Sequence, residues 1–221
     1  MRVPVLSYIL TALIAYLLGS IPTGFLVGLA RGIDIRSVGS GNIGATNVFR
    51  YLGVPAGVFV LLVDALKGWI AVVVLGRLIW NAFHGGADPQ AREWVAIIAG
   101  VSAILGHNFT CWLHFKGGKG IATSAGVLIA LVPWSLLVIF IVWVVVFALT
   151  RYVSLASICA SATLPFAAWL TKESFTMICI TIAMSALAIY KHRLNIQRLL
   201  KGTESRINWR KSSPAPEAPR Q

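Results

Sequence analysis

Long apolar runs follow one another along this chain, and they constrain its fold more than any other feature. They cover Val5–Ala30, Val54–Trp80, Trp94–Leu105, Ile121–Val132, Trp134–Thr150, Val153–Leu170 and Ser174–Tyr190. A helix that crosses a membrane needs roughly 20 mostly apolar residues, within a range of about 17–25. Trp94–Leu105 and Ile121–Val132 fall short of that length. The first run is too long for the apolar core of a signal peptide and shows no clear cleavage site. Only 12% of the 221 residues are charged, against about 25% in a soluble domain. The expected fold is all-α: one polytopic integral membrane domain over residues 1–211, with about seven transmembrane helices, two of them short. The remaining stretch, Ser212–Gln221 (SSPAPEAPRQ), reads as a disordered tail.

Charge orients the helices. Lys and Arg number 19 against 7 Asp and Glu. On a soluble protein this balance would suggest nucleic acid. Here it suits cytoplasmic loops, anionic lipid or phosphorylated substrates, and no nucleic-acid partner is expected. With the N-terminus outside and seven passes, the inside segments hold 14 Lys and Arg and the outside segments hold 3. This bias predicts a cytoplasmic C-terminus. It requires Ile121–Thr150 to be two segments, divided at Pro133, where a helix must at least bend. The outer loop Asn81–Glu93, with His84 and Asp88, reads as an ordinary turn.

Three polar stretches then fall on the cytoplasmic side. Val38–Arg50 (VGSGNIGATNVFR) combines three glycines with Ser40, Asn42, Asn47 and Arg50. Glycines let successive amides face one concavity, and a guanidinium matches phosphate in shape and charge. FKGGKG, at Phe115–Gly120, offers Gly117, Gly118 and Gly120 around Lys119, just before a helix expected from Ile121. It is not a nucleotide-binding loop of the Walker A type, because Gly120 follows Lys119 where Ser or Thr is needed. Tyr190–Arg206 follows the last span; on a continued helix His192 and Asn195 would share a face. Each stretch also has a plain reading: an interfacial loop, a glycine turn with a snorkelling lysine, and a basic helix resting on anionic lipid.

Smaller features complete the reading. Asp64 and Lys67 lie mid-span three residues apart and should pair, either for function or, as preferred here, as a clamp. Ser154 begins a span from the cytoplasmic side. His107 and His114 flank the basic loop and are taken as structural. Cys111, Cys159 and Cys179 have no metal-binding spacing and read as reduced packing residues. The sequon at Asn108 falls on the inner side, where it would not be glycosylated. With so few acidic residues and no metal-ligand pattern, neither a metal nor a cofactor is expected. The sequence thus describes an anion pocket beside hydrocarbon, suited to a substrate that is part phosphate and part acyl chain.

In this order on an N-out polytopic chain, GSGNIGATNVFR, GHNFTCWLHFKGGKG and KHRLNIQRLLKGTESR resemble the bacterial acyl-phosphate:glycerol-3-phosphate acyltransferases, the PlsY family. The likeness runs from about Leu13 to Arg206 and includes GSIPTG, the Asp64/Lys67-Gly68 positions and RYVSLASI. It implies transfer of a fatty acyl group from acyl phosphate to the 1-hydroxyl of sn-glycerol 3-phosphate. This is the first acylation of bacterial phospholipid synthesis, carried out at the inner membrane with the site facing the cytoplasm. It also implies membrane lipid as surroundings and functional coupling to the enzyme that makes acyl phosphate. The H-x-x-x-x-D motif of the larger glycerolipid acyltransferases is missing from this chain too.

Acyl phosphate is already activated, so proximity and electrostatic help suffice. On this basis His192, Ser40, Ser154, Lys119 and Asn195 are the expected catalytic residues. Arg50, Asn47, Asn42, Gly117, Gly118, Gly120 and Lys119 are expected to bind substrate. His192 is the plausible protein base, with a substrate phosphate oxygen as the alternative. The competing class is a transporter of organic phosphate, which the absence of an internal repeat and the bland outer loops argue against. A non-catalytic lipid-binding scaffold would not need His192 with Asn195.

Overall fold

The computed structural model describes residues 5–83 and 88–207. The tail from Ser212, His84 and the middle of the outer loop lie outside the described residues. Among those described, every regular element is helical. In chain order these are α1 (Val5–Ser20), α2 (Thr23–Leu29), α3 (Ala45–Leu52), α4 (Val54–Ile70), α5 (Gly76–Phe83), α6 (Pro89–Asn108), α7 (Ile121–Leu131), α8 (Pro133–Thr150), α9 (Val153–Leu170), α10 (Phe175–Lys191) and α11 (Arg193–Leu200). A π-helical turn, Ala71–Leu75, joins α4 to α5.

Five stretches are long and apolar enough to cross a membrane: Val5–Leu29, Val54–Phe83, Pro89–Leu113, Pro133–Thr150 and Val153–Leu170. The 17-residue α10 adds a sixth, and α11 turns away from it by 56°. One expectation is corrected here. The run Trp94–Leu105 is not a short segment but the middle of the 20-residue α6. Polar residues lengthen it at both ends. Pro89 occupies the first turn and the Asp88 carboxylate caps the Ala91 amide at 3.1 Å. Apolar length alone misses such turns.

The other short segment is real. The helix α7 has 11 residues and stops at Val132, whose φ of −143° leaves the helical region before Pro133 starts α8. It begins at the cavity described below and ends at Leu131, beside a second cleft lined by Arg77, Arg92 and Glu173. Its 11 residues rise about 16 Å, and Arg151 ends α8 in a left-handed turn before α9.

Helices pack as α1 on α6, α4 on α7, and α8 and α10 on α9. Membrane helices gain little from apolar contact with each other, so close backbone approach at small residues matters more. At Gly126 of α7 a Cβ would strike the Ala65 carbonyl of α4, and at Gly68 of α4 it would strike the Thr123 carbonyl of α7. This seam holds the short α7 against α4. Outward, α8 exposes Trp134, Ile141 and Leu149, as suits lipid.

Candidate active site

Tight packing at one end of the bundle brings the three polar stretches together. They line one cavity of about 530 Å³. Ser40, Asn42, Asn47 and Arg50 come from the first stretch, Lys119 and Gly120 from the second, and His192, Asn195 and Glu204 from the third; Ser154 joins from the start of α9.

In the first stretch, Asn47 is buried in α3 and spends its side chain on the loop before it. Its Nδ2 donates to the Ile35 and Val38 carbonyls at 3.0 and 3.1 Å, and its Oδ1 accepts the Ser40 amide at 3.1 Å. Asn42 Oδ1 accepts the Gly44 amide at 2.9 Å. Both asparagines therefore shape the loop, and Ser40 is exposed at the mouth as a result. Arg50 extends from the same helix to the Ser205 carbonyl at 2.9 Å.

The second stretch departs from expectation. The Gly117 amide donates to the Asn108 carbonyl at 3.3 Å, and the Gly118 amide to the His107 carbonyl at 3.0 Å. Neither glycine lines the cavity. These two amides are committed within the fold rather than turned toward an anion. The glycines serve close approach instead, since a Cβ on Gly118 would overlap the His107 imidazole. Gly120 does line the cavity, and its φ of +80° starts α7. Between them Lys119 points into the site. Burial pushes its pKa down to about 8; Glu204 opposes the fall, while Arg198 and Arg50 add to it.

The third stretch is bent, not one continued helix. His192 lies one residue beyond α10 and caps α11. The turn still brings His192 and Asn195 to the same cavity. His192 Nδ1 lies 2.8 Å from the Ala188 carbonyl. A carbonyl only accepts, so Nδ1 carries the hydrogen and the neutral ring keeps its lone pair on Nε2. Burial, and then the Lys119 charge, push the His192 pKa down to about 4, so the ring is neutral near pH 7.

Glu204, which follows α11, organises the mouth. It accepts Ser154 Oγ and Asn195 Nδ2, both at 2.7 Å, and Arg198 Nε at 2.6 Å. Burial alone would raise its pKa, but these hydrogen bonds hold it below the ordinary carboxylate value. Sequence reasoning also passed over Asp64 and His107 as cavity-lining residues. A carboxylate within a span was the available signal.

Behind the polar mouth the cavity becomes apolar. Ile139, Phe140, Trp143 and Phe147 of α8 face Ala160 and Leu164 of α9 and Met184 of α10. From Ser154 to Leu164 the helix rises about 15 Å, so this arm extends well into the hydrocarbon layer.

A family model described as glycerol-3-phosphate acyltransferase matches residues 9–202. The chain belongs to this family. The glycerol-3-phosphate acyltransferase of Geobacter sulfurreducens is 46% identical over 199 residues, covering 90% of this chain and 96% of that one. The glycerol-3-phosphate acyltransferase of Synechococcus elongatus is 44% identical over 209 residues, covering 94% and 98%. The crystal structure of PlsY, an integral membrane glycerol 3-phosphate acyltransferase, in its glycerol 3-phosphate form superimposes with a TM-score of 0.80 at 40% identity. It covers 91% of this chain and 96% of that one. The lysophosphatidic acid form of the same enzyme gives 0.78 at 39%. Within the family, this chain is a multi-pass, all-helical membrane protein.

Proposed function

We propose that this chain transfers a fatty acyl group from acyl phosphate to the 1-hydroxyl of sn-glycerol 3-phosphate, yielding lysophosphatidate and inorganic phosphate. One observation carries the reading: the cavity joins a cationic mouth to an apolar arm, in a member of a family named for acylating glycerol 3-phosphate. A soluble phosphate ester and a lipid-like donor meet where those halves join. The positive-inside bias supports a mouth that faces the cytoplasm, and the resemblance to the bacterial family supports a place in the inner membrane. There it would work beside the enzyme that supplies acyl phosphate.

The chemistry needs little beyond placement. Lys119 and Arg50 hold the glycerol 3-phosphate phosphate, with Arg50 exchanging the Ser205 carbonyl for phosphate oxygen. Ser40 contributes a hydroxyl, Ser154 a second by exchanging Glu204 for a phosphate oxygen, and Gly120 an amide, near the acyl phosphate. The glycerol 1-hydroxyl attacks the acyl carbonyl carbon and forms an ester bond. The bond from that carbon to the phosphate oxygen breaks, and phosphate leaves. His192 Nε2, with its lone pair available, accepts the hydroxyl proton. Asn195, held by Glu204, orients substrate beside it.

The test is acyl transfer by purified protein, with acyl phosphate and acyl-CoA assayed in parallel. Lysophosphatidate from acyl phosphate alone supports the proposal. Product from acyl-CoA alone overturns the donor, and no product from folded protein overturns the reaction.

A further inference from the structure

The ion pair Lys67–Asp64 is one of the most buried charged groups in the bundle. Its side chains are 4% and 2% exposed, and Nζ lies 2.8 Å from Oδ1. Desolvating two charges costs several kcal/mol per ion even after relaxation. Charge held inside a membrane span therefore calls for a function, and the acyl-transfer steps use neither residue.

The pair is tied to the α1–α2 break on one side and to the second polar stretch on the other. At the break, Lys67 Nζ donates to the Ile21 carbonyl at 2.8 Å and Thr23 Oγ1 donates to Asp64 Oδ1 at 3.0 Å. These bonds span the break between α1 and α2. Toward the second stretch, Asp64 Oδ1 lies 3.6 Å from His107 Nδ1. That atom is buried and makes no hydrogen bond among the described residues. His107 in turn holds the loop, its carbonyl accepting the Gly118 amide and its ring filling the space beside the Gly118 Cα. The next Cα along the chain, about 3.8 Å away, belongs to Lys119.

We propose that Asp64, Lys67 and His107 form a positioning unit that sets Lys119 for the phosphate of glycerol 3-phosphate. This rests on the assignment of Lys119 to that phosphate. The ion pair fixes the carboxylate, the carboxylate faces His107, and His107 fixes where the glycine loop delivers the ammonium. None of the three is a catalytic residue.

The test uses full-length protein in detergent and equilibrium binding of labelled glycerol 3-phosphate, which needs no acyl donor. His107→Gln, Asp64→Asn, Lys119→Ala and the double variant His107→Gln/Lys119→Ala are compared, each with its melting temperature. His107→Gln should weaken binding about tenfold, as expected for one misplaced charge-assisted contact, and add nothing further once Lys119 is alanine. A merely structural His107 would lower the melting temperature and leave Kd unchanged, which overturns the proposal. So does weakening by His107→Gln that persists in full without Lys119. If Lys119→Ala itself binds normally, the phosphate assignment fails and the positioning role fails with it. Normal binding by His107→Gln beside weak binding by Lys119→Ala overturns the positioning role alone. Should Asp64→Asn not fold, His107→Gln leaves the ion pair intact and decides the question.

Discussion

Ser154 Oγ donates to Glu204 Oε1 at 2.7 Å across 50 residues of sequence. This bond ties the start of α9 to the segment after α11. The same carboxylate holds Asn195 and Arg198. Removing it as Glu204→Ala leaves three donors without their acceptor, so the loss should be about 2–4 kcal/mol. A lower melting temperature in detergent would show it, and Glu204→Gln, which keeps one acceptor oxygen, should lose less.

The Lys119 pKa of about 8 sets an alkaline limit on substrate binding. The ammonium is charged below that pH and neutral above it, so affinity for glycerol 3-phosphate falls as pH rises through 8. On the acid side, a phosphate monoester gains its second charge near pH 6. Affinity should therefore peak between about pH 6 and 8. Titrating Kd against pH checks this, and in Lys119→Arg, which stays protonated, the alkaline fall should move beyond pH 10.

As proposed base, His192 should matter to turnover more than to binding. His192→Ala should reduce kcat by about a hundredfold or more while the Kd of glycerol 3-phosphate changes little. Because its pKa is about 4, the ring is a competent base at all higher pH values and is protonated only below. Wild-type kcat should accordingly be flat down to about pH 5 and fall through pH 4, provided the fold persists. A kcat near that of wild type in His192→Ala would transfer the proton to a substrate oxygen.

The apolar arm gives a steric prediction. Ala160 is 7% exposed and lines it. Ala160→Phe should block the arm, shift donor preference toward shorter acyl chains and leave the Kd of glycerol 3-phosphate unchanged. Overpacking of this kind costs about 1–3 kcal/mol, so melting is measured alongside chain-length profiles.

Asn47 offers a test of loop shaping. Its three hydrogen bonds to the Ile35–Ser40 backbone vanish together in Asn47→Ala. At about 1 kcal/mol each, the loss is near 3 kcal/mol, read as a drop in melting temperature with Ser40 displaced.

Much of this was legible before any coordinates. Apolar run length predicts α8, α9 and α10 to within a residue or so, because a helix in hydrocarbon has to satisfy its own backbone. The break at Pro133 follows from ring sterics. The length of α6 does not follow from hydrophobicity, since its ends are polar turns held by a cap and by the site. Likewise the glycine-rich loop looks the same in sequence whether its amides face an anion or an adjacent helix end. For Gly117 and Gly118, partners ten or so residues away took those amides.

The sequence by itself determined the fold class, the number and spacing of the apolar segments and the set of polar residues available for chemistry. These depend on transfer of side chains out of water and on local backbone sterics, both properties of the chain read in order. The tertiary structure alone decided which polar groups face the cavity and which are spent on the scaffold. Gly117 and Gly118 went to the scaffold, Asn47 lines the cavity yet spends its side chain on the loop, and Glu204, Asp64 and His107 came to the cavity wall. The reason is that a hydrogen bond belongs to whichever partner packing brings within about 3 Å, and that distance is set by helices far apart in sequence.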